Sequence, residues 1–233
     1  MNSYSIRKVM KFNITEKIEI KRTENSSKVI GTIIPSKKNG VTDTQKINGE
    51  QFEVFNCEFY VEKHGDIIVD GTPYTEFKVI NPFKLYFSNR SGLLIGHVGL
   101  SIATPFLKYL KDSNPSIVNY SYINFDFTKI VRNKALVDQV WFGTTDVHAR
   151  TKGFNGTEVN KNKEAMKAIN DGKATYIKVS IDVNSNGKNK KRIVGFSKKS
   201  GIVIVKKNDP SIDTLEKELS LLMDTYKTYS EFK

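Results

Sequence analysis

Strict alternation of apolar and polar residues is the feature that most limits how this chain can fold. It is clearest in TYIKVSIDV, residues 175–183, where the isoleucines and valines share one face of an extended segment and the intervening residues share the other. A period of two predicts a β-strand that buries one face. The same alternation recurs in QFEVFNCEFYVEK, residues 51–63, so sheet formation is expected in both halves of the chain.

Three segments carry start and stop signals of helices. Thr104 followed by Pro105 predicts the start of the first helix, and Asn114 before a proline predicts its end. Residues 161–171 predict a second helix, which Asn160 would cap and a glycine would end. A third is predicted after Asp209-Pro210, because apolar residues then recur at helical spacing.

These elements together predict an α+β fold with a β-rich N-terminal part and a mixed α/β C-terminal part that ends in an amphipathic helix. A boundary is expected between residues 1–92 and residues 93–233, and a single continuous domain is the alternative. With 233 residues, 38% of them hydrophobic, the chain is long and apolar enough to form a core in either arrangement.

The N-terminal stretch MNSYSIRKVMKFNITEKIEI has no apolar run of signal-peptide length, and no window approaches the roughly 18 apolar residues of a membrane span. We therefore expect a cytoplasmic protein without a membrane partner. Cys57 is the only cysteine and lies in an apolar, strand-like run, which predicts a buried and unreactive thiol. The oligomeric state is left open.

Positive charge is concentrated in one part of the chain. Residues 150–207 hold 15 basic and 4 acidic residues, a net charge of +11, whereas residues 1–149 carry +4 and residues 208–233 carry −3. Such clustering predicts a polyanionic partner, and nucleic acid, either DNA or RNA, is the expected one. Because 31 of the 37 basic residues are lysines, contacts to the phosphate backbone are expected rather than bidentate contacts to bases.

The candidate nucleic-acid-binding residues lie in a predicted helix, in a predicted hairpin and in the turn that follows it. They are Arg150, Lys152, Lys161, Lys163, Lys167, Lys188, Lys190, Lys191, Arg192, Lys198 and Lys199. Phe154, Tyr176 or Phe196 would add base stacking if they are exposed. The alternative is an ordinary solvated hairpin, and nucleic-acid binding requires that these side chains converge without being masked by the acidic final helix.

A possible acid–base site lies in WFGTTDVHARTKGFNG, residues 141–156. If residues 144–152 are extended, Asp146, His148, Arg150 and Lys152 share one face. His148 would then act as general acid or base in metal-independent phosphodiester chemistry, with Asp146 orienting it and with Arg150 and Lys152 holding phosphate. There are two alternatives. The segment binds phosphate without catalysing a reaction, or it is only the solvated face of a strand.

A possible metal site lies in residues 64–79. Asp70 and the later Glu76-Phe77-Lys78 match the spaced acidic pattern of many metal-dependent nucleases, in which two carboxylates hold Mg²⁺ and a lysine polarises the attacking water. Mg²⁺ is expected only in that case, and otherwise no cofactor is predicted. A turn aspartate and a solvent-exposed Glu–Lys pair form the simpler explanation.

Three function classes therefore remain open. The first is a nucleic-acid-binding protein, the second a nuclease or phosphodiesterase, and the third a protein-interaction subunit of a phage-defence or other mobile-element system. The third depends only on a Lys-, Asn- and Ile-rich composition typical of AT-rich genomes. The histidines are not at zinc spacing, and one cysteine cannot form a structural zinc site.

Overall fold

The structure is a computed structural model, and it describes residues 2–23, 26–132, 136–185, 188–205 and 212–230. Antiparallel β-structure dominates these residues, with 54% in strands and 23% in helices. Thirteen of the strands belong to one large sheet, and four α-helices accompany it. The predicted α+β class is therefore wrong, and the fold is mainly β.

The strands in chain order are β1 (Asn2–Phe12), β2 (Ile18–Lys21), β3 (Val29–Pro35), β4 (Lys37–Lys38), β5 (Val41–Thr42), β6 (Thr44–Ile47), β7 (Glu50–Val69), β8 (Thr72–Ser88), β9 (Leu93–Gly96), β10 (Val118–Tyr122), β11 (Leu136–Gly143), β12 (Thr151–Asn155), β13 (Ala174–Ser185), β14 (Lys188–Ser197) and β15 (Gly201–Ile204). The helices are α1 (Leu100–Ser113), α2 (Phe127–Arg132), α3 (Lys163–Asn170) and α4 (Leu215–Ser230), and a 3-10 turn covers Val159–Lys161. None of these described helices is both long enough and apolar enough to cross a membrane.

The chain divides into two compact units, each assembled from separate segments. Unit 1 contains Met1–Lys8, Lys46–Glu50 and Tyr122–Lys233, and unit 2 contains Val9–Gln45 and Gln51–Ser121. The domain boundary expected after residue 92 stays a prediction. A domain is a unit that can fold alone, whereas these two units are defined only by which residues pack together.

The core of unit 2 forms where α1 packs on a sheet with the strand order β9-β8-β7-β3-β2. Phe106 is fully buried at its centre, with ring centroids 4.9 Å from Phe83 and 6.1 Å from Phe59, both edge-on. Edge-to-face aromatic pairs add to the free energy gained by burying their surface. This aromatic cluster fixes α1 against the strands.

Helix α1 ends where the sequence predicts but begins earlier. Its last residue is Ser113, and the Asn114 N–H caps it by donating to the Lys111 carbonyl. Its first residue is Leu100 instead of Thr104, and the Gly99 carbonyl accepts the first helical hydrogen bond from the Ala103 N–H at 3.0 Å. Pro105 therefore lies inside the helix, and the predicted start at Thr104-Pro105 is wrong.

Strands β7 and β8 form a long hairpin that explains much of the error in fold class. They are 20 and 17 residues long, and the predicted turn at Asp70 and Gly71 is confirmed, with positive φ angles at both residues. Most side chains of residues 62–80 are exposed on both faces of this hairpin. Strands that bury neither face have no alternating pattern, so the sequence predicts only short separate strands here.

Unit 1 contains an antiparallel sheet with the strand order β12-β11-β13-β14-β15-β1. The strictly alternating segment is β13, and its predicted apolar face is confirmed as buried. Helix α4 packs on that face, where Tyr229 lies 5.6 Å from Phe196 of β14. The second predicted helix is α3, with Asn162 in place of Asn160 as its cap, and the third is α4, whose expected start at Asp209-Pro210 lies outside the described residues.

Cys57 is buried in the core of unit 2, as the sequence predicts, and burial raises the pKa of its thiol well above the ordinary value. Because only the thiolate reacts, we expect almost no reaction of the native protein with a thiol reagent at about pH 8. The absorbance of released thionitrobenzoate measures this reaction, and full reaction is expected after unfolding in guanidinium chloride. Rapid native reaction would contradict the burial.

Candidate nucleic-acid interface

The predicted basic residues lie at two ends of unit 1. Lys190, Lys191 and Arg192 are near the tip of the β13–β14 hairpin, and Lys198 and Lys199 follow the opposite end of β14. The side chain of Lys188 and two further basic residues at 206 and 207 lie outside the described residues. Lys190, Lys191 and Arg192 also point alternately to the two faces of the hairpin, because successive side chains of a strand point to opposite faces. Full convergence on one face is therefore absent from the described part of the chain.

A second group of lysines converges near the end of α3. The Lys198 side chain donates to the Gly172 carbonyl, just after α3, and its backbone N–H donates to the Thr175 carbonyl at 2.9 Å. Lys167 and Lys173 line a cavity of about 410 Å³ next to the end of β11, together with two carboxylates, Glu164 and Asp171. We call Lys167, Lys173 and Lys198 the basic end of unit 1. Lys173 was absent from the predicted set because no cluster in the sequence includes it.

Other predicted lysines are partly neutralised. Lys152 forms an exposed ion pair with Glu164 at 3.2 Å, and Lys161 forms one with Glu158 at 2.7 Å. Exposed pairs of this kind contribute little to stability and are easily exchanged. Among the described residues, no acidic side chain lies within salt-bridge distance of four exposed lysines of the predicted set, which are Lys163, Lys167, Lys190 and Lys191.

Three acidic residues of the C-terminal region contact residues outside the predicted binding set. Asp213 pairs with Lys217 at 2.9 Å, and this pairing lowers the pKa of the aspartate. Glu218 accepts a hydrogen bond from Asn2 at 2.8 Å, and Asp224 accepts one from Asn48 at 2.6 Å. These contacts direct the three carboxylates toward groups other than the predicted binding residues.

The predicted acid–base site does not have the expected geometry. Residues 144–150 form the loop between β11 and β12 and are not a strand. The Asp146 carboxylate accepts a hydrogen bond from the His148 backbone N–H at 2.9 Å, which is a local turn contact and not a contact with the imidazole. His148 and Arg150 are exposed. The prediction that these side chains share one face of a strand is therefore wrong. A catalytic role for Asp146, His148 and Arg150 stays a prediction.

The predicted metal ligands are also separated. Asp70 lies in the β7–β8 turn, whereas Glu76 lies further along β8, opposite His64, so the two carboxylates are separated by roughly 13 Å of strand. Glu76 contacts His64 at 3.4 Å, and Lys78 is paired across the hairpin with Glu62. Among the described residues, no group of three or more potential ligands is close enough to hold a metal ion. Mg²⁺ binding by Asp70 and Glu76 thus stays a prediction without a convergent set of ligands.

An aromatic pair lies on the face of β11 and β13 opposite α4. Trp141 and Tyr176 are direct cross-strand partners. A Cβ built on Gly153 of β12 would lie 2.9 Å from the Trp141 ring, and one on Gly195 of β14 would lie 2.2 Å from the Tyr176 hydroxyl oxygen. The Trp141 ring therefore lies over Gly153, and the hydroxyl end of the Tyr176 ring lies over Gly195. We call Trp141, Tyr176, Gly153 and Gly195 the aromatic platform.

The platform was only partly predictable. Of the three aromatics expected to stack bases, Phe196 is fully buried and Phe154 stacks on Phe142 at 6.0 Å, which leaves Tyr176 half-buried on the platform. Burial raises the pKa of the Tyr176 phenol above its ordinary value. Trp141, 41% exposed, was not assigned a stacking role. The signal available in the sequence was the isolated glycines within the strands, because such a glycine often marks a place where another group approaches the backbone closely.

No known protein family matches this chain, and no characterised protein is detectably similar to it in sequence. Fold alone does not define function, so function has to be inferred from the side chains of the site.

Proposed function

We propose that this protein binds nucleic acid and contacts its phosphate backbone through the basic surface of unit 1. The observation that carries this function is a set of exposed lysines, two in α3 and two near the start of β14, with no acidic side chain within salt-bridge distance among the described residues; the nearest in register is Asp182, the cross-strand neighbour of Lys191. They belong to a segment with a net charge of +11. Exposed positive charges release counterions from nucleic acid when they neutralise phosphates, and this supplies affinity without a shaped pocket.

Binding is favoured over catalysis because backbone contact has smaller geometric requirements. The convergence on one face that the sequence argument required is absent, but phosphates can be contacted at separate points along a strand, so two groups of lysines can serve one ligand. A nuclease or phosphodiesterase needs carboxylates or a His–Asp pair close to one scissile bond, and the two sets of groups predicted for this role are not brought together. A protein-interaction role and a cytoplasmic location stay predictions.

The salt dependence of binding tests the proposed function. The affinity for a labelled oligonucleotide is measured by fluorescence anisotropy as the salt concentration rises. With about four phosphates neutralised, affinity is expected to fall roughly a hundredfold between about 50 and 200 mM salt. Absent binding at low salt, or binding independent of salt, would contradict backbone recognition.

Charge reversal locates the contact. Lys190→Glu combined with Lys191→Glu is expected to weaken binding about tenfold or more and to reduce the salt slope by about two. The matched control is Lys37→Glu combined with Lys38→Glu, which changes net charge equally at the exposed strand β4 of unit 2. Its salt slope should equal that of the unaltered protein. Equal weakening in both variants would mean that only net charge matters.

A further inference from the structure

We propose that the aromatic platform stacks unpaired bases, so that the nucleic acid bound on this face of unit 1 is single-stranded. This inference rests on the proposed function, because phosphate contacts must hold the strand near the sheet. The inference specifies the class of nucleic acid, which is a strand whose bases are not paired in a duplex.

The two rings are arranged to accept separate bases. Trp141 leans toward β12, over Gly153, and Tyr176 leans toward β14, over Gly195. Each ring therefore has one face against the sheet and directs the other away from it. A side chain at either glycine would push the ring off the sheet, since the Cβ would lie less than 3 Å from ring atoms. Flat rings on an antiparallel sheet suit stacking with any base, because every base has a π-face.

The charges around the platform match a nucleic-acid strand. Lys178 lies two residues from Tyr176 on the same face of β13, and its cross-strand partners are Gly195 and Gln139. Further along the same face, exposed Lys191 of β14 is the cross-strand partner of exposed Asp182. The face of the rings therefore carries Lys178 beside Tyr176 and one lysine–aspartate pair toward the hairpin tip. A neutral ligand such as a sugar would stack on the rings but would gain nothing from these lysines.

A duplex is a poor fit to the same surface. Paired and stacked bases present only their edges in the grooves, so two rings lying flat on a sheet cannot reach base faces. An extended single strand can turn its bases onto the rings while its phosphates reach lysines beside them.

A purely structural role for the rings gives a different expectation. Aromatic side chains commonly cover glycines in sheets and stabilise strand pairing near an edge. In that case substitution of Trp141 would lower stability, but the protein would bind a strand with bases and a strand without bases equally well.

The first experiment uses the unaltered full-length protein and needs no variant. Trp141 is the only tryptophan, so its fluorescence reports directly on the platform. Oligothymidylate is expected to quench this fluorescence and to bind roughly tenfold more tightly than an abasic oligodeoxynucleotide of equal length. A duplex of equal length should bind without comparable quenching. Equal affinity for the two single strands with unchanged fluorescence would overturn the platform and leave the proposed function intact.

The second experiment removes the ring. Trp141→Ala is expected to lower affinity for oligothymidylate about tenfold while leaving abasic binding unchanged, and Trp141→Phe, which keeps a ring, should retain most of the difference. The matched control is Tyr74→Ala, which removes an aromatic side chain of similar exposure from the β7–β8 hairpin of unit 2. Loss confined to Trp141→Ala supports stacking, and an unchanged ratio of oligothymidylate to abasic affinity in the folded Trp141→Ala protein overturns it. Failure of both probes to bind at low salt would instead overturn the proposed function.

Discussion

Replacement of Phe106 by alanine is expected to lower the free energy of unfolding by about 3–5 kcal/mol. Phe106 is fully buried where α1 meets the strands of unit 2, and its ring contacts Phe59 and Phe83 edge-on. Truncation removes the apolar surface of the ring and leaves a cavity that the rigid sheet cannot close. Both aromatic pairs are lost at the same time.

Urea denaturation followed by circular dichroism measures this loss as a lower midpoint. The control is Ile68→Ala, which truncates a side chain that is 75% exposed in the β7–β8 hairpin of the same unit. That change should alter stability by no more than about 0.5 kcal/mol. Similar effects in both variants would contradict the placement of α1 in the core.

Replacement of Gly31 by alanine is expected to cost about 3 kcal/mol, although it adds only one methyl group. The new Cβ would lie 2.6 Å from the Glu58 carbonyl oxygen on the neighbouring strand β7, and 3.5 Å from the Phe106 ring. The carbonyl belongs to the backbone of a paired strand, so relief requires β3 and β7 to separate. Thermal and urea midpoints should both fall.

The matched control for this change is Gly156→Ala. Gly156 lies in unit 1, is exposed, and a Cβ there would meet nothing within 4 Å. Alanine at such a site restricts the unfolded chain and is expected to leave stability unchanged or raise it by up to about 1 kcal/mol. A tolerated Gly31→Ala would contradict the close approach of β3 and β7.

Local patterns predicted the elements that bury one face. The alternation in residues 175–183 and the cap signals around residues 161–171 and Asn114 correspond to β13, α3 and the end of α1. Where water replaces a core on each side, no such pattern arises: residues 62–80 predict only short separate strands, and the polar segment 36–51 predicts a loop or hairpin connection although it contains β4, β5 and β6. Underestimating the strand content in this way led to the predicted α+β fold.

The candidate site depended on features that are not local. Charge clustering in residues 150–207 was visible in the composition, but the β13–β14 register decides which end each lysine occupies. Alternation around His148 failed because a turn interrupts it, with Asp146 bonded to the backbone. The proximity of Trp141 to Gly153 results from strand pairing across a loop, which spacing along the chain does not reveal.

Strand β15 is protected on one side by the N-terminal residues of the chain, since Gly201–Ile204 pairs with residues 2–5 of β1. A fragment that carried only the basic C-terminal half would lack this partner. Its β15 backbone would then become an unsatisfied sheet edge lined by apolar side chains, the kind of surface that recruits other chains and aggregates. Dissection of this protein for binding studies should therefore keep the first strand, by fusion or co-expression, with any C-terminal piece.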